Sequence, residues 1–376
     1  MNAVIIDGAR VRKLRLLSFR WHDVALLLNV NERTLWRWRE RTAFVEPLLE
    51  LDDAQLDVKV LALNDCNPAR GQVTTSGALL ALGFRVSRGS VRASLERVDP
   101  DGLEARRRRP VKRRVYNVTQ PHHLWHQDGW HKLIRYGLVV HGCVDGGTRT
   151  IIYLACRDNN RSATVLGELM GAVARHQVPA RMRGDRGGEN ILAAAFMLDH
   201  RGGGGYLTGS SKHNTRIERL WRDMRSRSMD YYIALFRRFE EEGMDITNAL
   251  HIWVLQYMFL PRLNEDLQRF IQMWNLHSLS TENNRSPLQL LELRRGGAPA
   301  PVDIDYDTYG MDEERDYDED DEVAAVQVDP LDCPLTEHER RLYAAHIRPL
   351  SLQDPLDTLF KKYIDALDLI NYLWYR

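Results

Sequence analysis

Within the first hundred residues, two segments carry apolar residues at helical spacing, each broken by a short turn. In residues 21–41, one apolar helical set ends before a polar break at 29–31, and a second helical stretch follows. Residues 76–98 repeat this layout, with a turn at Gly83 and a second helix that we expect Ser90 to cap. A helix, a short turn and a second helix form a helix-turn-helix, so the pattern predicts two such all-α units in tandem.

From about residue 119 the pattern changes to alternating strands and helices. It predicts three successive strands, with the turn sequence Asp145-Gly146-Gly147 between the second and the third. The predicted strands and helices, in chain order, lie at 124–136, 138–144, 149–156, 162–176, 180–184, 189–199, 206–209 and from Asn214 onward. Three antiparallel strands followed by alternating helices and strands predict an α/β fold, with a mixed five-stranded sheet flanked by helices.

The remaining segments differ in composition. Large apolar side chains at helical spacing over 247–275 predict core helices, interrupted at Pro261. Twelve of the twenty residues in 303–322 are acidic, which predicts disorder. The last stretch, 335–376, has enough apolar residues for one or two helices.

These patterns divide the chain into six predicted parts. Two helix-turn-helix units occupy 1–48 and 49–104, and a basic linker occupies 105–118. The α/β domain with its trailing helices, the acidic segment that we predict to be disordered and a C-terminal helical segment follow at 119–295, 296–330 and 331–376.

The formal net charge of zero conceals an uneven distribution. Residues 301–376 contain 20 acidic and 7 basic side chains, so the first 300 residues carry a net charge of +13 and the tail −13. A basic body with an acidic tail is typical of a protein that binds nucleic acid. The four cysteines form no C-x-x-C pair, and no apolar run approaches the length of a membrane span. We therefore expect a soluble, reduced, intracellular protein without a disulfide framework.

Basic residues in several segments are candidates for contacting DNA. Arg33, Arg37 and Arg41 recur on one face of the second helix of the first unit, where phosphate or base-edge contacts are made. The stretch RRRRPVKRR at 106–114 is typical of a phosphate-contacting linker or a nuclear-localisation signal. The alternative for each is a solvated basic surface. The predicted DNA-contacting residues are Arg33, Arg37, Arg41, Arg88, Arg92, Lys112, Arg113, Lys212, Arg216 and Arg222.

Three acidic residues occupy distinctive places on the predicted α/β domain. Asp128 lies inside the first strand, Asp185 follows the fourth strand, and Glu218 lies in the first turn of the helix after the fifth. An aspartate inside an apolar strand is costly unless its charge is compensated, and a divalent cation is the usual compensation. The three carboxylates are therefore candidate metal ligands.

Each carboxylate also has a simpler interpretation. Asp128 fits the solvent face of its strand, and Asp185 fits a turn. Thr215 and Glu218 match a capping box, in which the glutamate bonds back to the cap residue and needs no ligand. Glu218 nevertheless borders the apolar stripe of its helix beside Arg222, where a carboxylate can face a metal and a phosphate together.

The order of these motifs resembles the DDE integrase core of the retroviral integrase and transposase superfamily, in particular the eukaryotic integrase-core proteins. The likeness covers about 119–292 and rests on WHQDGWHKLIRY, RMRGDRGGEN, HNTRIERLWRDM and WNLHSLSTENNRSPLQL. It implies that Asp128, Asp185 and Glu218 are the catalytic triad and that the domain adopts the ribonuclease-H-like fold. The His₂Cys₂ zinc module of retroviral integrases has no counterpart before residue 119.

This resemblance also implies an activity. Family members are polynucleotidyl transferases, in which the three carboxylates hold two Mg²⁺ or Mn²⁺ ions for DNA cleavage and strand transfer. It implies DNA as the partner, a homo-oligomer when two DNA ends are brought together, and a nuclear location. It implies neither a small-molecule substrate nor a membrane.

Two other functions compete with this one. A DNA-binding protein that keeps the integrase fold without catalysis would have the same helix-turn-helix units and the same domain. Arg183-Gly184-Asp185 also spells a cell-adhesion tripeptide. An adhesion protein would need a signal peptide and usually a disulfide-bearing ectodomain, and we expect neither here.

Overall fold

The computed structural model describes most of the chain, namely residues 5–66, 71–100, 116, 118–209, 214–305, 309 and 327–374. The chain divides into two units. Unit 1 takes 1–112 and 272–297, and unit 2 takes 113–271 and 298–376.

Unit 1 begins with three short helices, α1 (Gly8–Leu16), α2 (Trp21–Leu27) and α3 (Glu32–Arg41). Their apolar side chains recur every three or four residues and form one small core of Val11, Leu14, Phe19, Val24, Ala25, Leu35 and Trp38. The side chain of Asn31 caps α3 by accepting the backbone N–H of Arg33 at 2.9 Å. The helices and the turn between α2 and α3 therefore lie where the pattern predicts them.

A second set of three helices follows, with the bounds α4 (Asp53–Cys66), α5 (Gln72–Ala81) and α6 (Arg88–Val98). Their core consists of Leu56, Val60, Leu79, Val91 and Leu95. The prediction that Ser90 caps the last helix was wrong. Ser87 is the cap, because its backbone is extended and its hydroxyl accepts the N–H of Ser90 at 3.0 Å. The all-α character of the N-terminal region is confirmed.

Residues 272–297 complete unit 1. Their helix α12 (Pro287–Leu293) begins with a capping box formed by Ser286 and Gln289. Just before it, Arg285 makes a two-pronged ion pair with Asp23 of α2, at 2.9 and 3.0 Å. This segment, which the sequence places with the α/β domain, thus packs on the first helical set.

Unit 2 contains a five-stranded sheet built from β1 (Leu124–Trp130), β2 (Val139–Asp145), β3 (Ile151–Arg157), β4 (Arg181–Gly184) and β5 (Tyr206–Thr208). The strand order is β3-β2-β1-β4-β5. The β1–β2 and β2–β3 pairs are antiparallel, whereas β1–β4 and β4–β5 are parallel. The predicted mixed five-stranded sheet is confirmed.

The first strand ends earlier than predicted. It stops at Trp130, and a 3₁₀ turn occupies Ile134–Tyr136. Gly137 follows with a φ of +64°, a conformation that favours glycine. The side-chain amide of Gln256 donates to the carbonyls of Tyr136 and Gly137, so the turn has its own hydrogen-bond partners.

Helices pack on the sheet and position the rest of unit 2. On one face, α7 (Ser162–Arg175) and α8 (Ile191–Arg201) enclose a core that contains Trp125 and Tyr153. The helix α9 (Thr215–Met224) packs on β1 and β2, and a π-helical turn joins it to α10 (Asp230–Glu241). The predicted flanking helices are therefore confirmed.

The long helix α11 (Ala249–Leu276) runs through Pro261 without a break. The predicted interruption was wrong. Proline removes an N–H and crowds the preceding turn. In that turn the carbonyl of Met258 also accepts the backbone N–H of Leu350 at 2.8 Å, so a distant segment packs against the helix beside the proline.

The C-terminal helices α13 (Glu337–His346) and α14 (Leu359–Trp374) belong to unit 2. Phe239 of α10 lies in an aromatic cluster with Phe259 of α11 and with Phe360 and Tyr363 of α14. Stacked and edge-on rings at these distances stabilise a core beyond their buried area. The C-terminal segment is therefore part of the folded unit.

One residue of the acidic segment, Tyr309, packs against the sheet of unit 2. Tyr309 is buried in a small cluster with Val118, Leu124 and Leu207. The guanidinium of Arg183 donates to its backbone carbonyl at 2.8 Å. The predicted disorder therefore does not extend to Tyr309, because an aromatic ring there finds apolar and cationic partners.

Replacing Phe239 with alanine should remove the centre of the aromatic cluster. We expect Phe239→Ala to lower the free energy of unfolding by about 3–5 kcal/mol, as for other buried phenylalanines. Tyr231→Ala, on the same helix but 38% exposed, is the matched control and should cost much less. Denaturant unfolding followed by circular dichroism measures both, and equal losses would show that the cluster is not a core.

Candidate active site

Asp128 and Asp185 lie at matching positions on neighbouring parallel strands. His126 of β1 pairs with Arg183 of β4, and the two aspartates come two residues later on each path. Side chains two residues apart on a strand point to the same face. The parallel pairing therefore brings both carboxylates to the same end of the sheet.

Glu218 reaches this end of the sheet from α9. The helix is capped by Asn214, so Thr215 is its first residue and Glu218 its fourth. The N–H of Glu218 donates to the carbonyl of Asn214 at 3.2 Å, as an ordinary helical bond. The capping-box alternative was therefore wrong, because Glu218 lies one position too far along the helix.

Trp221 joins α9 directly to Asp128. Its indole Nε1 donates to Oδ2 of Asp128 at 2.7 Å, and only 5% of the tryptophan is exposed. Gly142 lies opposite Asp128 on β2, and a Cβ there would come within 2.5 Å of the Trp221 ring. The glycine thus leaves the space that the ring needs to reach the aspartate.

Asp185 is held by two donors from its own loop. The N–H of Gly187 and the side-chain amide of Asn190 both donate to its Oδ1, at 3.0 and 2.7 Å. The Asn190 oxygen in turn accepts from the amide of Gln127, the neighbour of Asp128 on β1, at 2.6 Å. A buried amide pair therefore fixes the loop after β4 to the strand beside it.

The same polar network extends to the start of α9. Asn214 donates to the backbone carbonyl of Gln127 at 2.7 Å, and its oxygen lies 2.7 Å from Nδ1 of His126. Burial lowers the pKa of His126 to about 3, so its ring is neutral. A neutral ring that donates from Nδ1 can accept the hydroxyl of Tyr116 at Nε2, 2.6 Å away. Every buried polar group in this chain of contacts thus has a partner.

Negative charge accumulates at this end of the sheet. The pKa of Asp128 is raised well above its usual value, first by burial and then by repulsion from Glu218 and Asp185. The hydrogen bond from Trp221 opposes this rise. Glu189 adds a fourth carboxylate, whose pKa is raised by burial and by Asp185. Such a cluster favours a proton or a cation among its members.

The three predicted ligands are near one another but are not arranged as a formed metal site. Within the described ranges, no group of three His, Cys, Asp or Glu side chains has the arrangement of metal ligands. The oxygen atoms of the three carboxylates and their mutual repulsion nevertheless fit a hard divalent ion.

The predicted DNA-contacting residues differ in their exposure to solvent. Arg216 lies buried, with its guanidinium 3.7 Å from the centre of the Tyr116 ring, so it is poorly placed for a phosphate. Lys112, Arg113 and Lys212 lie outside the described residues. The other members are exposed, namely Arg33, Arg37, Arg41, Arg88, Arg92 and Arg222.

Sequence reasoning missed the residues that support the carboxylates. These are Gln127, Asn190, Asn214, Trp221 and Glu189. Gln127 and Asn190 stand close to the aspartates in the sequence, and an amide beside a candidate ligand is a signal that could have been used. Trp221 falls in the apolar stripe of its helix, which conceals its role as a donor.

The adhesion tripeptide is not presented at the surface. The side chain of Arg183 is 2% exposed inside β4, so a receptor has no access to its guanidinium. A separate search of the described helices finds none with the length and apolar character needed to cross a membrane.

Comparison with known proteins identifies the α/β domain. The family model of the integrase core domain matches residues 115–295. The catalytic core domain of the HTLV-2 integrase, solved with magnesium in a trimeric form, is 17% identical; the match covers 46% of this chain and 99% of that chain, with a TM-score of 0.29. A chain of the simian T-cell lymphotropic virus intasome, in complex with PP2A regulatory subunit B56 gamma, is 14% identical; the match covers 65% of this chain and 75% of that chain, with a TM-score of 0.31. The comparison with curated proteins gives no match.

The family match covers the sheet, its flanking helices and all three predicted triad positions. Residues 115–295 therefore match the integrase core domain family model, and their mixed five-stranded sheet flanked by helices is the arrangement expected of a ribonuclease-H-like fold.

Proposed function

We propose that this protein is a metal-dependent polynucleotidyl transferase, a transposase- or integrase-like enzyme that cuts DNA and joins strand ends. One observation carries the proposal: the parallel pairing of β1 with β4 places Asp128 and Asp185 at the same end of the sheet, where α9 bears Glu218. Three carboxylates from two adjacent parallel strands and one helix are thereby gathered at one end of the sheet. The match to the integrase core family model supports this choice of reaction.

Asp128, Asp185 and Glu218 would hold two Mg²⁺ or Mn²⁺ ions. Hard divalent cations prefer oxygen ligands, and a cation would relieve the repulsion within the cluster. When bound, such ions activate an attacking oxygen and stabilise the charge on a leaving oxygen.

The surrounding residues orient these ligands. Trp221 donates to Oδ2 of Asp128, so that carboxylate has a fixed direction. Both donors to Asp185 reach its Oδ1, which leaves its other oxygen outside this pair of bonds. Supporting hydrogen bonds of this kind pre-orient ligands and make metal binding more favourable.

The reaction is an in-line exchange at phosphorus. The oxygen of water, or of a DNA 3′-hydroxyl, forms a new bond to the phosphorus while the bond to a 3′ oxygen breaks. The attacking oxygen loses its proton to solvent, and the leaving 3′ oxygen takes one up. With water the product is a nick, and with a 3′-hydroxyl it is a joined strand.

We further propose that DNA is the partner and that copies of the chain assemble when two DNA ends are brought together. Arg222 is exposed one turn beyond Glu218, where it would hold the DNA backbone. The exposed arginines of α3 and α6 would also bind DNA. A nuclear location follows from this choice of substrate.

Strand transfer on DNA tests the proposal. The purified full chain, with duplexes that carry candidate terminal sequences and a target plasmid, should nick and join DNA in Mg²⁺ or Mn²⁺. We expect Asp128→Asn, Asp185→Asn and Glu218→Gln each to reduce product to background, because each removes a ligand. The control Asp199→Asn, an exposed carboxylate on α8, should retain activity. If the unmodified protein shifts DNA in a gel yet never cuts it, the protein is a non-catalytic DNA-binding protein instead.

The charge cluster makes a second prediction, on stability. Because folding raises the pKa of Asp128, the folded state loses stability as pH rises from the unfolded pKa of about 3.9 through the folded pKa. In EDTA at neutral pH, Asp128→Asn should therefore raise the melting temperature, by about 2–4 °C for each kcal/mol of repulsion removed.

This gain should shrink towards pH 4, where Asp128 of the unmodified protein is protonated. Adding Mg²⁺ should stabilise the unmodified protein more than the variant. Differential scanning calorimetry measures both effects, and a variant equally destabilised at every pH would contradict them.

A further inference from the structure

Trp36 is an exposed aromatic residue in the middle of α3. It is 58% exposed, whereas its neighbours Leu35 and Trp38 are buried in the core of the first helical set. An exposed tryptophan contributes little to the fold that carries it. A large apolar side chain at such a position is typical of a contact surface.

Arginines lie beside this tryptophan on the helix surface. Arg33 precedes it by three residues, Arg37 follows it directly, and Arg41 lies one turn further on. None of the three forms an ion pair with any residue that the structure describes. Their charges are therefore available to an external anion.

The corresponding helix of the second set differs. On α6, Arg92 is paired with Glu96 and Arg97 with Asp57, and no large hydrophobic residue within the described part of that helix is strongly exposed. The guanidinium of Arg88 donates to the hydroxyl of Ser278. Of the two helices, α3 thus combines unpaired arginines with an exposed aromatic ring, and α6 does not.

A cap, a turn and a cation–aromatic contact hold α3 in place. Asn31 caps the helix, and Asn29 takes a φ of +52° in the turn before it. The guanidinium of Arg39 lies 5.0 Å from the centre of the Trp21 ring, on the side where a pocket opens beside Trp36. The exposed ring is therefore presented from a fixed helix, in its second turn.

We propose that Trp36 is a base-contacting residue that recognises the methyl group of thymine in the major groove of duplex DNA. Arg33 and Arg37, which lie next to it on one side of the helix, contact the phosphates or base edges. The inference rests on the DNA-binding part of the proposed function and is independent of strand transfer.

Duplex DNA fits this surface better than a protein partner does. The centre of a protein–protein interface is depleted of charge, whereas here cations flank the apolar group. A helix of this kind enters the major groove with its first turns against the base edges. The C5-methyl of thymine is the apolar group that the major groove displays.

Replacing thymine with uracil tests the proposal directly. A duplex selected from a random pool by the full-length protein is synthesised twice, with thymidine or with deoxyuridine, so that the two probes differ only in methyl groups. The unmodified protein should bind the thymidine duplex more tightly, by about fourfold for each methyl contact. Trp36→Ala should bind both duplexes equally, at the affinity of the unmodified protein for the deoxyuridine duplex.

Two control variants separate base contact from charge. Arg37→Ala should weaken binding to both duplexes alike and lower the slope of affinity against salt concentration by about one. Val58→Ala on α4, which removes a comparably exposed apolar side chain outside the proposed DNA-contacting set, should keep the preference for thymidine. Because Trp36 is exposed, Trp36→Ala should melt at the same temperature as the unmodified protein.

Equal binding of the two duplexes by the unmodified protein would overturn the proposal, as would a Trp36→Ala variant that still prefers thymidine. A change in oligomeric state of that variant by light scattering, with its preference intact, would assign the surface to a second copy. A protein that cuts DNA without this preference refutes only the present inference. A protein that shows the preference without cutting refutes only the proposed catalysis.

Discussion

The parallel pairing of β1 with β4 is the interaction on which the candidate active site depends. It sets His126 opposite Arg183, so Asp128 and Asp185 emerge at the same level although they are far apart in the chain. An antiparallel pairing would send them to opposite ends. The helix bearing Glu218 is then positioned against the same strands by Trp221. In a different register, the three carboxylates would lie apart and could not act together on one cation.

A second constraint follows from gathering like charges. The repulsion that raises the pKa of Asp128 costs stability, and the fold tolerates it because hydrogen bonds hold Asp128 and Asp185 in place. Conflicts of this kind between local stability and charge are typical of functional sites. His126 and its amide partner Asn214 contrast with the carboxylates. Both are buried and neutral, and each has a hydrogen-bond partner, so their burial adds no repulsion between charges.

Several features were within reach of sequence analysis and others were not. The positions of the strands in unit 2 and of the helices in unit 1 follow from periodicity, which burial of one face imposes on any strand or helix. The caps at Thr215 and Ser90 were misplaced, because several hydroxyl residues near a helix start satisfy the same local pattern. The break expected at Pro261 is absent: α11 continues through it, packed against distant segments such as the one that contains Leu350, which no local rule includes.

The sequence by itself determined which residue types can act: acidic residues at strand ends, arginines at helical spacing, and an apolar pattern for an α/β domain. It determined these because periodicity and charge are local properties. Only the tertiary structure decided that Arg216 stacks on Tyr116, that Trp221 donates to Asp128 and that Trp36 remains exposed. Those outcomes depend on which distant segment packs against each side chain, and nothing in a residue's own neighbourhood specifies that partner.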